Sequence, residues 1–190
     1  MSINTEDYQK VSVVSSDALW QWLGEHHAQA ASVWLVTFKK SQPDKYISRD
    51  EVLDALVAFG WIDGIRRVLD DTRTMQLIAP RKQQAWAQSY KERASRLIDD
   101  GRMQQPGLAS IQRGKNSGLW DFFADVDALI VPDDLNAALK EDVAKWDGLA
   151  RSYRRNVLRW IKLAKTDATR TKRIDAAALS TRTDQKIAQM

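Results

Sequence analysis

Residues 48 to 78 read SRDEVLDALVAFGWIDGIRRVLDDTRTMQLI, and this stretch has the signals of a helix followed by two strands. Ser48 and Glu51 have the spacing of a capping box, which predicts a helix that begins at this point. The segments 65–69 and 74–78 are rich in apolar residues and flank four polar residues. This pattern predicts an antiparallel hairpin.

The elements that precede this stretch complete a small sheet. Ser15, Ser16 and Asp17 supply N-cap chemistry, and the apolar spacing after them predicts a first helix over residues 16–29. The run VWLVTF at 33–38 is apolar on both faces and indicates a central strand. Together with the hairpin it predicts a three-stranded antiparallel sheet, so the N-terminal half is expected to be α+β.

Beyond Pro80 the apolar spacing becomes helical. A stripe over 86–98 predicts a helix that ends at Gly101. Residues 112–118 contain two glycines, an asparagine and a serine, which indicate a mobile loop or hinge. A further helix is predicted over 132–139, and the C-terminal half is expected to be all-helical.

Length and composition limit the number of domains. The 190 residues can form one ordinary domain or two small pieces that pack together. We divide the chain into an α+β unit with the hairpin, residues 1–82, and a helical region, residues 83–190, and expect the two to pack as one body. With 44% hydrophobic and 28% charged residues, the composition excludes disordered and collagen-like chains.

Residue types important for metal and redox chemistry are scarce. The chain has no cysteine, which excludes disulfides, thiolate metal sites and a cysteine nucleophile. Its two histidines, His26 and His27, are adjacent and therefore lie about 100° apart on a helix, where they cannot share a metal ion. We expect no metal and no cofactor.

Eight tryptophans are spread through both halves of the chain. Each can remove about 150 to 250 Å² of surface from water, so we interpret most of them as core anchors. An aromatic platform for nucleic acid would be concentrated on one sheet. The spread of the tryptophans therefore argues against a nucleic-acid partner.

The N-terminal sequence does not resemble an export signal. It reads MSINTEDYQKVSVVSSDALWQWL, without a basic cluster ahead of an apolar run and without a small-residue cleavage site. No stretch of the chain approaches the roughly 20 consecutive apolar residues that span a bilayer. We expect a cytoplasmic protein without a membrane span.

Charge is distributed unevenly along the chain. The formal net charge is +4, but residues 145–190 contain 12 Lys or Arg and 4 Asp, a net charge of +8, so residues 1–144 have a net charge of −4. The basic end should attract anions, and salt should weaken that attraction.

The segment ARSYRRNVLRWIKLAK, residues 150–165, places positive charge on one helix face. At about 100° per residue, Val157, Trp160 and Ile161 share an apolar arc, whereas the arginines and lysines occupy another. A second basic run follows Thr166, which suits an N-cap. Two interpretations are open: a solvated face that pairs with acids of the N-terminal half, or a surface that binds an acidic partner or anionic ligand. The contact residues for the second interpretation are Arg151, Arg155, Arg159, Lys162, Arg170 and Arg173.

Five short motifs occur in a recognisable order: FGWIDG at 59–64, PRK at 80–82, LIDDGRM at 97–103, WIKLAK at 160–165 and TRTKRI at 169–174. In this order they resemble the YdeI/OmpD-associated (OmdA, bacteriocin-protection) family over residues 16–175, with the OmdA-like part at 128–187. The resemblance implies a bacterial protein of unknown molecular activity, linked to bacteriocin protection and porin association. It implies no established catalytic centre. We expect a role in stress resistance.

The WIDG turn supports a second hypothesis. Asp63, Arg66 and Arg81 can form a polar, charged spot beside Trp61, which suits a small-molecule-binding protein or a weak enzyme. The same residues also suit a fixed corner braced by an Asp–Arg pair. Because no nucleophile with an adjacent base is recognisable, the sequence favours a non-enzymatic protein.

Overall fold

A computed structural model describes residues 7–187 of the chain. Two compact units, Met1–Asp121 and Phe122–Met190, make up the protein. The first contains a β-sheet with helices, and the second is helical. The mixed α+β class and the helical C-terminal half are thus confirmed, whereas the division into 1–82 and 83–190, packed as one body, stays a prediction.

The first unit alternates between strands and helices along the chain. Its strands are β1 (Lys10–Ser12), β2 (Val33–Phe38), β3 (Trp61–Val68) and β4 (Arg73–Pro80). Its helices are α1 (Ser16–His26), α2 (Arg49–Ala58), α3 (Gln88–Asp99) and α4 (Gln105–Asn116), with a short 3₁₀ turn at Pro43–Lys45.

The sheet has four strands in the order β1-β2-β4-β3, so the prediction of three strands is wrong. The β2–β4 and β4–β3 pairs are antiparallel as predicted, whereas β1 runs parallel to β2. The missed strand has three residues, of which only Val11 is buried, so its alternating pattern is too short to mark it in the sequence. At the opposite edge, the pairing of β3 with β4 shifts register between Asp63 and Arg66.

Helix α2 begins with the predicted capping box. The Ser48 N–H donates to Glu51 Oε2 at 2.8 Å, and the Glu51 N–H donates to Ser48 Oγ at 3.2 Å. Gly60 follows the helix with a φ of +72°, a conformation that favours glycine. The start of α2 and the turn into β3 are therefore fixed by local chemistry.

A network of arginines joins α3 to α2. Asp54 on α2 is buried and accepts hydrogen bonds from Arg93 and, at 2.6 Å, from Arg96. Arg93 also donates to Asp50 at 2.7 Å. Because a buried carboxylate is costly without charged partners, these contacts fix α3 against α2.

Helix α4 continues to Asn116, so the prediction of a mobile loop over 112–118 is wrong for most of that stretch. Its glycines permit close packing instead of ending the helix. A Cβ atom at Gly114 would lie 2.6 Å from Trp86 Nε1, and one at Gly107 would lie 2.3 Å from the Ala58 carbonyl oxygen. A glycine in a helical pattern is compatible with the end of the helix and also with a neighbouring segment that packs closely against it.

The core of the first unit lies against the sheet and is built from large side chains that are almost completely buried: Leu19, Leu23, Leu35, Leu56, Trp61, Ile78, Trp86 and Leu97. Of the eight tryptophans, four are at most 1% exposed, namely Trp34, Trp61, Trp86 and Trp146. The other four are half-buried. Half of the tryptophans are therefore fully buried, as expected for core anchors.

The second unit consists of helices joined by short turns: α5 (Ala124–Asp127), α6 (Asp133–Leu139), α7 (Val143–Gly148), α8 (Arg151–Lys162) and α9 (Asp167–Thr183), with a 3₁₀ turn at Lys140–Asp142. Leu135, Leu139, Trp146, Val157 and Ile161 are buried and form its apolar interior. No helix within residues 7–187 combines the length and apolar character needed to cross a bilayer. The cytoplasmic location stays a prediction.

Candidate functional site

Helix α8 presents a row of arginines on its outer surface. Val157, Leu158 and Ile161 are buried, which fixes the rotation of the helix about its own axis. Arg151, Arg155 and Arg159 follow one another at four-residue spacing, so each is displaced from the one before by about 40° around the helix. All three are exposed, and together they form the basic face.

Other cations of this unit are bound by carboxylates of the same unit. Lys162 Nζ lies 2.5 Å from Asp125 Oδ1, and Arg170 contacts both oxygens of Asp134. Burial of Asp125 is the largest single influence and opposes ionisation, but the hydrogen bond and charge of Lys162, together with backbone N–H donors, hold the pKa of Asp125 below its usual value. The Arg170 guanidinium lowers the pKa of Asp134 in the same way.

The basic face itself has no acidic partner within residues 7–187. Neither Arg151 nor Arg155 forms an ion pair or a side-chain hydrogen bond there. The Arg159 guanidinium lies over the Phe123 ring, 4.7 Å from its centroid. No carboxylate among the described residues occupies the three guanidinium groups, so they are available to an external anion.

Arg173 has a structural role at the end of α8. It donates a hydrogen bond to the carbonyl oxygen of Trp160, in the last turn of that helix, and its guanidinium lies 5.1 Å from the centre of the Trp160 ring. The last carbonyls of a helix have no partner within the helix, so Arg173 satisfies one of them. Beside this contact is a groove of about 430 Å³ lined by Trp160, Thr169, Lys172, Arg173 and Ala176, the aromatic groove.

The first unit contains a second candidate site, the polar cluster of Asp63, Gln76, Arg81, Trp86 and Tyr90. Asp63 accepts a hydrogen bond from the Tyr90 hydroxyl and one, at 3.0 Å, from Gln76. Burial, together with the bond to Asp63, raises the pKa of Tyr90 above its usual value. Tyr90 is therefore a hydrogen-bond donor here and not a base.

Arg81 is the unusual member of the polar cluster because its charge is buried without an ion pair to any residue in 7–187. The residue is 6% exposed, and its guanidinium lies 4.1 Å from the centre of the Trp86 ring and 5.0 Å from that of Tyr90. It donates to the Gln84 carbonyl at 3.3 Å, but its Nε has no partner in the described structure. Burial lowers the pKa of Arg81 to about 10, against the opposing influence of Tyr90 and Asp63.

Comparison with protein families covers most of the chain in two parts. Residues 11–110 match a domain of unknown function, DUF8412. The chain belongs to the DUF8412 family. Residues 128–182 match the family described as Bacteriocin-protection, YdeI or OmpD-Associated (OmdA), which confirms the resemblance for this segment. No curated protein and no solved structure gives a significant match.

The two family regions divide the motifs between them. FGWIDG, PRK and LIDDGRM lie in the DUF8412 region, whereas WIKLAK and TRTKRI lie in the OmdA segment. The polar cluster is thus a feature of the DUF8412 region, and the basic face is a feature of the OmdA segment. Neither family description gives a molecular activity.

The residues predicted around the WIDG turn are only partly brought together. Asp63 and Arg81 both contact Tyr90, by a hydrogen bond and by ring stacking. Trp61 instead packs in the core and donates to the His27 carbonyl at 3.2 Å, and the exposed Arg66 donates to Thr74 Oγ1 at 3.0 Å. Whether these four residues line a pocket stays a prediction.

Gln76 on β4 and two aromatic members of the polar cluster were missed from the sequence. Trp86 and Tyr90 lie four residues apart, and that spacing made them look like an apolar helix stripe. The only signal of a polar role is the tyrosine hydroxyl, which needs a partner when it is buried. No group of three or more His, Asp or Glu side chains within residues 7–187 is placed to hold a metal ion.

Proposed function

We propose that this protein is a non-enzymatic binding protein that holds an acidic partner or anionic ligand against the basic face of its OmdA segment. The observation that carries the proposal is the contrast between its cations. Arg151 and Arg155 are exposed without an acidic partner in the described chain, whereas Lys162 and Arg170 are paired with Asp125 and Asp134.

The chemistry of the basic face favours oxygen anions. A guanidinium group offers planar pairs of N–H donors that match carboxylate and phosphate oxygens. Neighbouring arginines on one helix face can contact successive acidic groups of an extended partner. The pair of Lys162 with Asp125 holds α8 against α5 for this contact, and Arg173 satisfies a carbonyl at the end of α8.

The family name gives this proposal a biological direction. The matched OmdA description refers to bacteriocin protection and to association with OmpD. We infer that an acidic surface on a protein of the cell envelope or of a stress response is the partner class that the basic face would recognise. Porin association enters here only through the family description.

The test is binding of the full chain to poly-glutamate at increasing salt concentration. Affinity should fall steeply with salt, and the double variant Arg151→Glu/Arg155→Glu should lose at least ~10-fold in affinity. The matched control is Lys82→Glu/Arg113→Glu, which changes the net charge equally at two exposed cations of the first unit. Equal losses in both variants, or an affinity that salt does not change, would overturn the proposal.

A second candidate function is binding of a small molecule at the polar cluster. It is favoured by Arg81, whose buried guanidinium has neither an ion pair nor a partner for its Nε within the part of the chain that the structure describes. A small carboxylate or phosphate would supply the missing negative charge. A thermal-shift screen with anionic metabolites tests it, because a bound ligand raises the unfolding temperature. A hit that persists unchanged in Arg81→Met would count against this site.

A further inference from the structure

The aromatic groove has a composition that the proposed function does not use. Trp160 comes from the WIKLAK motif, while Thr169, Lys172 and Arg173 come from TRTKRI. Two consecutive motifs, one on α8 and one on α9, thus line one opening of about 430 Å³ between these helices. Its size falls within the range of small-molecule sites, roughly 300 to 1,000 Å³.

The charges of the groove are positive and not balanced by its own lining. Lys172 is exposed, and it forms no ion pair or side-chain hydrogen bond among residues 7–187. Arg173 likewise has no carboxylate partner there, since its bond goes to the Trp160 carbonyl. None of the five lining residues is acidic. An anion with two negative charges would match these two cations.

The side chains of Arg173 and Thr169 are positioned before any ligand arrives. The hydrogen bond to Trp160 and the contact with its ring hold the Arg173 guanidinium in one place. The Thr166 hydroxyl donates to Thr169 Oγ1 at 2.9 Å, so the Thr169 hydroxyl proton is free to be donated elsewhere. Donors that are fixed in advance lose little freedom when they bind.

The apolar part of the groove consists of Trp160 and Ala176, which suit a flat ligand. The half-buried Trp160 side chain offers an indole surface, and Ala176 leaves room beside it. Aromatic rings stack on indole in offset or edge-to-face arrangements. We infer that the aromatic groove binds a small ligand that combines a planar aromatic ring with a phosphate group, such as a nucleotide.

This site is distinct from the basic face. Trp160 lies about 100° around α8 from Arg159, so it borders α9 and not the row of arginines. The inference does not rest on the proposed function, and the two can fail separately. Loss of poly-glutamate binding in Arg151→Glu/Arg155→Glu tests the basic face, whereas the experiment below tests the groove.

Titration calorimetry of the full chain with adenosine 5′-monophosphate, adenosine and inorganic phosphate tests the inference. The nucleotide should bind with a Kd below ~1 mM, and adenosine and phosphate should each bind at least ~10-fold more weakly. Trp160→Leu and Lys172→Gln should each weaken nucleotide binding at least ~10-fold, while the control Lys82→Gln, at an exposed lysine of the first unit, should not change it. Lys172 is exposed, so its variant remains informative should Trp160→Leu fail to fold.

Several results would overturn the inference. Absence of nucleotide binding would exclude the ligand class, and equal binding of adenosine or of phosphate alone would exclude the combined ring-and-phosphate recognition. Nucleotide binding that survives unchanged in Lys172→Gln would place the ligand outside the groove.

Discussion

Arg170 and Asp134 form a two-point ion pair in the OmdA segment. Arg170 Nε lies 2.6 Å from Asp134 Oδ2, and its Nη2 lies 3.0 Å from Oδ1. Two parallel hydrogen bonds fix both the distance and the orientation of the partners. The pair therefore sets how the start of α9 meets the start of α6.

Asp134→Asn should lower the free energy of unfolding at neutral pH by no more than about 1 kcal/mol, because the carboxylate is 45% exposed and solvent screens the pair. The pKa of Asp134 is lower in the folded state than the ordinary value of 3.8. The ion pair with Arg170 therefore stabilises the folded state fully well above pH 3.8, and this stabilisation is lost as the pH falls through the lowered pKa. Urea unfolding at neutral and acidic pH measures it.

The neighbouring Asp133→Asn is the control for that experiment. Asp133 also lies in the first turn of α6 and is exposed, but it has no ion pair in the described structure. A difference between wild type and Asp134→Asn that stays constant as the pH falls well below 3.8 would contradict the assigned role of the pair.

Asp54→Ala should destabilise the first unit by about 3 kcal/mol, since it leaves Arg93 and Arg96 without their buried partner. Asp50→Ala removes a carboxylate that also binds Arg93 but is 82% exposed, and it should cost less than about 1 kcal/mol. Chemical unfolding of both variants provides the comparison. Similar losses of unfolding free energy in the two variants would show that the burial of Asp54 does not strengthen its contribution to stability.

Arg81→Met should change the free energy of unfolding by less than about 1 kcal/mol in either direction. The substitution removes two ring contacts, but it also removes a buried charge that has no ion pair among the described residues. Methionine fills a similar linear space. A loss above about 3 kcal/mol in thermal or urea unfolding would mean that the guanidinium is a major stabilising group.

Gly107→Ala should destabilise the first unit by about 3 kcal/mol, because the new Cβ atom would lie 2.3 Å from the Ala58 carbonyl oxygen and 2.5 Å from Met103 Sδ. Gly148→Ala is the matched control, since nothing lies within 4 Å of its Cβ position. That variant should leave stability unchanged or raise it by up to about 1 kcal/mol through helix propensity. Unfolding midpoints distinguish the two substitutions, and equal effects would refute the packing argument.

Features that depend on neighbours in sequence could be predicted from it. The capping box of Ser48 and Glu51, the hairpin and the Thr166 cap of α9 all form within a few residues, and all three were predicted. Strand β1 could not be predicted, because it is stabilised only by pairing with β2 more than 20 residues away. Its three residues are too few to show the alternation of apolar and polar residues that marks a strand.

The candidate sites show the same limit. Helical phase places Arg151, Arg155 and Arg159 on one side of α8, and the structure has them exposed. The partners of the other cations were not predictable, since Arg170 and Asp134 are 36 residues apart and many acids were available. The aromatic groove was missed because Trp160 was assigned to the apolar stripe, whereas it lies half-buried at the border with α9.

The position of β3 at the border of the sheet affects how the protein behaves in concentrated solution. An outer strand can pair with the same strand of another molecule and so begin fibre growth. Here the shift of register between Asp63 and Arg66 interrupts the ladder, and two consecutive arginines would bring like charges face to face. The outermost strand thus resists self-assembly while it keeps the carboxylate of Asp63 turned towards Tyr90.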